Sequence, residues 1–308
     1  MIIIEILKNI IVPLLLLISA GYILNRIFSF HVITLSKLTL YFYIPILVFT
    51  KIYDTNLNFK LLVLIVFIVC VQVICLYGLN YFVSRILQFN KKIRASFVNS
   101  VILTNAGNFG LPVNSLAFNH DPLAMSVQII VMAIQNFMTF SLGIMNAKSS
   151  ADASILQDLI GYIKSPIFFA VFLGIIGNIT NVEIPLFLKE PIWSIADGFF
   201  VIALITFGAQ ITFKDLKGYF APLLASVFIR LVVSPAIAFG ILLLLNINGV
   251  VAAALFIASA LPTSRNSALI ALDYDNHPDF AAQAVLFSTL FGSLSITFII
   301  YLATIYFL

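Results

Sequence analysis

Apolar residues run along this chain in long blocks rather than in alternation. Ten blocks can be drawn, at about 4–25, 34–51, 61–86, 94–118, 122–146, 154–178, 191–211, 219–245, 249–272 and 279–307. Each is close to the ~20 residues that carry a helix across a bilayer. Turn and charge signals separate them, among them Phe89-Asn90-Lys91-Lys92, Asn119-His120-Asp121-Pro122, Ala147-Lys148-Ser149-Ser150 and the stretch from Asp273 to Asp279. Lipid offers no partner to a free backbone N–H or C=O, so blocks buried in it are helices. The pattern predicts an all-α polytopic membrane protein with ten transmembrane helices.

A repeat runs through the blocks. Pro13, Gly21 and Asn25 in the first are matched by Pro166, Gly174 and Asn178 in the sixth, each 153 residues on. Pro112 in the fourth and Pro262 in the ninth lie 150 residues apart. The chain therefore divides into two five-helix repeats, 1–146 and 154–308, joined by a short cytoplasmic linker at 147–153. An odd number of spans turns the second repeat upside down, the inverted-repeat plan of many secondary transporters. Helices 4 and 9 are expected to break at Pro112 and Pro262.

Composition narrows the class. Hydrophobic residues make up 62% of the chain and charged residues 9%, against about 25% charged in a soluble domain. A soluble enzyme, a disordered chain and a nucleic-acid partner are excluded. No GxxxxGK[ST] stretch provides for nucleotide-driven transport. Cys70 and Cys75 share one apolar block and face different directions, which reads as apolar thiols rather than a disulfide. His31, His120 and His277 are scattered without zinc spacing, and no cofactor is implied. The apolar run after Lys8 lacks a small-x-small cleavage site and reads as an uncleaved first helix. Arg26, Arg85, Lys91, Lys92, Arg94, Lys148, Lys214 and Lys217 follow odd-numbered helices, whereas Lys8, Lys51, Lys60 and Lys189 lie on the other side. The positive-inside rule places the first group in the cytoplasm and both termini outside it, in the plasma membrane.

The chemistry concentrates in the fourth and ninth blocks. Thr104-Asn105-Ala106-Gly107-Asn108-Phe109-Gly110-Leu111-Pro112 is a poor helix former inside an apolar span. Ala260-Leu261-Pro262-Thr263-Ser264-Arg265-Asn266-Ser267 is its counterpart. A half-helix starting at such a break presents N–H groups and a positive dipole end, which suit an anion. Asn105, Asn108, Thr263 and Asn266 are candidates to orient a carboxylate, and Gly107 and Gly110 to let it approach the backbone. Arg265 reads as a bidentate clamp on a carboxylate, as half of a structural ion pair with Asp197, or as a shallower cation that snorkels to the interface. Gln128, Gln135 and Asn136 in the fifth block either line the cavity or bond between helices, and Arg230 and Lys37 read as structural or interfacial. Acidic residues within spans are scarce, Asp197 and Asp158 being the main ones.

These motifs resemble the auxin efflux carrier family, which includes plant PIN-type carriers and many prokaryotic relatives. The resemblance rests on Asn105-x4-Gly110-Leu111-Pro112, on Ala260-Leu261-Pro262 with Tyr274 and His277-Pro278-Asp279 downstream, on Val127-Gln128-Ile129 and on Arg230-x4-Pro235. It implies two inverted repeats crossing at Pro112 and Pro262, with helices 1, 2, 6 and 7 as a scaffold beside a moving transport domain. It also implies small organic anions, mono- or dicarboxylates, as substrates. The chemistry of the two breaks places them among Asn105, Gly107, Asn108, Gly110, Pro112, Gln135, Asn136, Pro262, Thr263, Arg265 and Asn266, with Arg265 a departure from the family's pattern, where an apolar residue is expected. The bilayer is the partner, and a homodimer is a candidate assembly. The rival expectations are a sodium-coupled carrier like the bile-acid symporters and a non-transporting membrane receptor. No constellation for an enzyme is present.

Overall fold

The computed structural model describes residues 2–54, 59–148, 166–180, 182–211 and 219–308. Asp158, Lys214, Lys217, the first part of the predicted sixth helix and all but the first two residues of the linker lie outside them. The described residues form helices throughout: α1 (Ile3–Phe28), α2 (Val32–Tyr53), α3 (Lys60–Ile86), α4 (Lys91–Ile102), α5 (Leu111–Ala117), α6 (Pro122–Ala147), α7 (Pro166–Thr180), α8 (Leu186–Ala209), α9 (Phe220–Leu244), α10 (Gly249–Ser259), α11 (Arg265–Asp273) and α12 (Pro278–Tyr306). Seven of them, α1, α2, α3, α6, α8, α9 and α12, are long and apolar enough to cross a membrane. The fourth and ninth blocks are each two shorter pieces, α4–α5 and α10–α11.

Proline shapes these helices without ending them. Five π-helical turns interrupt the described helices, and four of them stand two residues before a proline: Leu7–Ile11 before Pro13, Thr39–Tyr43 before Pro45, Ala106–Gly110 before Pro112 and Ile229–Val233 before Pro235. A proline ring clashes with the carbonyl one turn back, and a wider turn gives it room. Pro112 therefore does not break the fourth block, as the sequence suggested. The break lies earlier, at Leu103–Asn105, and the chain is already helical from Ala106.

Two helix groups pack side by side. In one, α8 lies against α1 and α2, and α7 lies against α2. Close approach there needs glycine: a Cβ on Gly21 would meet the Ile205 carbonyl oxygen at 2.1 Å, and one on Gly208 would meet that of Ile18 at 1.9 Å. Four residues beyond Gly21, Asn25 donates to the Ala209 carbonyl at the end of α8 (2.9 Å). Four residues beyond Gly174, Asn178 donates to the Tyr53 carbonyl at the end of α2 (2.8 Å). The repeated Gly-x3-Asn pair thus performs the same task twice, satisfying a helix C-terminus that has run out of intrahelical donors.

The other group holds α3 to α6 and α9 to α12, with α10 against α6, α9 and α12, and α4 against α3 and α12. Its ends are tied by polar contacts. Lys92 pairs with Asp275 (2.7 Å), Ser96 donates to the Asn276 carbonyl, and Asn276 donates to that of Ala147 (2.8 Å). At the opposite end Gly249 N–H donates to the Phe307 carbonyl (2.9 Å).

Candidate functional site

The two breaks meet. Asn105 N–H donates to the Pro262 carbonyl (2.9 Å) and Ser264 N–H to that of Leu103 (2.8 Å), an antiparallel bridge centred on Thr104 and Thr263. Irregular backbone at this depth is tolerated only when its polar groups find partners, and the neighbours supply them. Gln135 on α6 accepts from Thr104 N–H (3.1 Å), and Gln128, two turns away on the same face, donates to the Ala106 carbonyl (2.9 Å). On the other side Ser288 of α12 accepts from Thr263 N–H (3.0 Å), and the Thr263 hydroxyl donates to the Ser100 carbonyl (2.7 Å). Gly110 sits where a Cβ would press on the Gln128 amide at 2.4 Å and on Leu261 at 2.6 Å. Its role is to let the two halves close together.

Beside the bridge lies a cavity of about 180 Å³. Asn105, Gly107, Asn108, Gln135, Asn136, Arg265 and Asn266 all border it. Gly110, Pro112, Pro262 and Thr263 do not; they are buried in the packing behind it. Thr263 in particular spends both its N–H and its hydroxyl on neighbours. Four further polar residues complete the wall: Ser36 of α2, Gln210 just past α8, Thr104 and Ser264. Ser36 and Gln210 come from the other helix group, and Gln210 donates to the Ser36 hydroxyl (2.8 Å). Neither stands near a break in sequence. The one signal for Gln210 was a polar side chain ending the seventh apolar block.

Both half-helix starts face this space. Ser264 caps α11, its hydroxyl accepting from Asn266 N–H (3.2 Å). Arg265, the first residue of α11, is partly buried and reaches the Ser36 hydroxyl at 3.4 Å. It has no carboxylate partner among the described residues. Asp197, the ion-pair candidate, is exposed on α8 instead. Among the described residues the cavity wall therefore carries one cation, several amides and no acidic side chain. Gln210, Arg265 and Leu269 also border an adjoining space of about 440 Å³, lined mainly by apolar residues such as Phe207, Leu272, Val285 and Leu286. No group of His, Cys, Asp or Glu suited to a metal ion occurs among the described residues.

A bundle of apolar helices with polar, interrupted backbone at its centre defines a multi-pass membrane protein. The sequence profile of the family described as membrane transport protein matches residues 7–300, so the chain belongs to that family, the auxin efflux carrier family to which its motifs pointed. It is similar to an uncharacterized transporter of Methanocaldococcus jannaschii, 25% identical over 302 residues, which covers 94% of this chain and 96% of the relative. An uncharacterized transporter of Methanothermobacter thermautotrophicus is 21% identical over 291 residues, covering 93% and 95%.

Proposed function

We propose that this protein is a secondary transporter of small organic anions, bound where the two broken helices meet. The observation that carries the reading is the cavity wall: two half-helix N-termini and the guanidinium of Arg265 converge there, with no carboxylate among the described residues to oppose them. An anion entering it gains two positive dipole ends and a charge-assisted hydrogen bond. Asn105, Asn108, Asn136, Asn266 and Gln210 supply neutral donors around it. The adjoining apolar space favours acids that carry an apolar portion over compact dianions.

The inverted-repeat reading gains support from the reciprocal Asn25 and Asn178 caps and from the bridge between the breaks. A second likeness joins them: Asn119-His120-Asp121-Pro122 after α5 and Asn276-His277-Pro278-Asp279 after α11. On this reading α1, α2, α7 and α8 are the fixed scaffold, and the group carrying the breaks moves against it as an elevator. Ser36 and Gln210 are the scaffold's contribution to the site in one of its end states. The basic loops face the cytoplasm and the membrane is the plasma membrane. Charge movement in proteoliposomes on a solid-supported membrane, with a panel of mono- and dicarboxylates and indole acids, tests the reading. A saturable current for a subset, lost in Arg265→Ala, is the expected result. Transport unchanged by that substitution overturns the role of Arg265.

A further inference from the structure

Arg230 lies within α9 at 1% exposure and is the largest fully buried side chain among the described residues. It has no carboxylate partner among the described residues, although a buried cation without compensation is strongly unfavourable. Its hydrogen bonds show what compensates it. One terminal nitrogen donates to the Val101 carbonyl (2.7 Å); the other donates to the Ser259 carbonyl and to the Ser234 hydroxyl. Val101 and Ser259 belong to the last turns of α4 and α10, the two half-helices that end at the breaks. A helix that stops inside the membrane leaves carbonyls without donors and a negative dipole end. The guanidinium joins both ends at once.

The surroundings reinforce this arrangement. The Ser234 hydroxyl donates to the Ser259 carbonyl (2.9 Å) and accepts from the Gln72 amide (2.9 Å). The Arg230 Nε makes no hydrogen bond among the described residues. The guanidinium borders a space of about 20 Å³ shared with Gln72, Thr104 and Gln135, enough for about one water. Thr104 and Gln135 also border the substrate cavity, so the guanidinium stands directly behind its wall.

Carbonyls at half-helix C-termini are where secondary transporters coordinate a coupling cation. Here such carbonyls are taken by a cation fixed to the chain. We infer that Arg230 is a tethered counter-cation that substitutes for a dissociable one, so that the two broken helices are held together, and the site behind which it stands is assembled, without sodium or any other free monovalent cation. Arg230 is thus a positioning residue. The inference rests on the transporter reading for its meaning but not for its test.

The test is thermal unfolding of the purified full chain in detergent, without substrate. The wild-type midpoint is expected to respond equally to sodium, lithium, potassium and choline chloride at matched ionic strength. A saturable, sodium-specific rise overturns the inference. Arg230→Ala is expected to unfold at a lower temperature and to recover in millimolar guanidinium chloride but not in urea with matched sodium chloride. Recovery by both or by neither overturns it, because a residue that only fills space has no preference for a cation. If Arg230→Ala does not accumulate, Arg230→Lys is compared with Arg230→Met. The lysine variant is expected to unfold at the higher temperature, and equal midpoints overturn the inference. A silent transport panel alters none of these outcomes.

Discussion

The two breaks solve one backbone problem with different side chains. Each opens a helix in the membrane, and each pairs its freed groups with the other through the Thr104–Thr263 bridge. The first break is held from α6 by Gln135 and Gln128 and offers the cavity asparagine and glycine. The second is held from α12 by Ser288 and offers Arg265. Equivalent geometry therefore yields an uncharged wall facing a cationic one. The difference shows that the bridge and the chemistry are separate: the first needs backbone partners from neighbouring helices, and the second needs only the residue that starts the half-helix.

Removing the cationic wall gives the largest expected effect. Arg265→Ala should lower apparent anion affinity by at least ~30-fold, since removing one member of a desolvated charge pair costs about 2–5 kcal/mol. The thermal midpoint should change little, because among the described residues Arg265 makes a single hydrogen bond, of 3.4 Å. Uptake titrations on the variant check the first and thermal unfolding in detergent checks the second. Asn108→Ala, on the uncharged wall, should cost about 1 kcal/mol of binding, the worth of one neutral hydrogen bond. A loss equal to that of Arg265→Ala would show that the walls are not chemically distinct.

The bridged threonines sharpen the comparison at the level of stability. Thr263→Val leaves the Ser100 carbonyl without its donor and should destabilise by about 1–3 kcal/mol. Thr104→Val removes a buried hydroxyl that has no hydrogen-bond partner among the described residues, and replacing such a group by a methyl is close to neutral. Thermal midpoints of the two variants, measured together, should separate clearly. Equal losses would mean that the bridge rather than the hydroxyl sets the cost.

The smallest effect belongs to the rim of the α4–α5 and α10–α11 group. Lys92, through its hydrogen bond and its charge, holds the exposed Asp275 carboxyl below its ordinary value. A lowered carboxylate pKa contributes stability above the ordinary pKa and loses it as pH falls through the lowered one. Lys92→Ala should therefore be indistinguishable from wild type in acid and differ from it only slightly at neutral pH, by thermal midpoint.

Much of this was legible in the residues themselves, and the boundary of legibility has physical causes. Helical spans follow from composition alone, because a bilayer cannot hydrate a backbone; blocks such as 122–146 and 279–307 reappear as α6 and α12 with ends shifted by a residue or so. The break at Pro262 was equally readable, since a proline followed by Thr263, Ser264 and Arg265 has no apolar helix to continue. The break near Pro112 was misplaced by eight residues from Thr104, because a π-helical turn absorbs that proline and chain chemistry alone does not reveal which turn will widen. Pairing was beyond local reading altogether. Thr104 with Thr263, Val101 and Ser259 with Arg230, and Ser36 with Gln210 join segments far apart in the chain. A buried carbonyl needs a donor, but which donor reaches it depends on how helices pack, and that was decided only when the whole bundle closed.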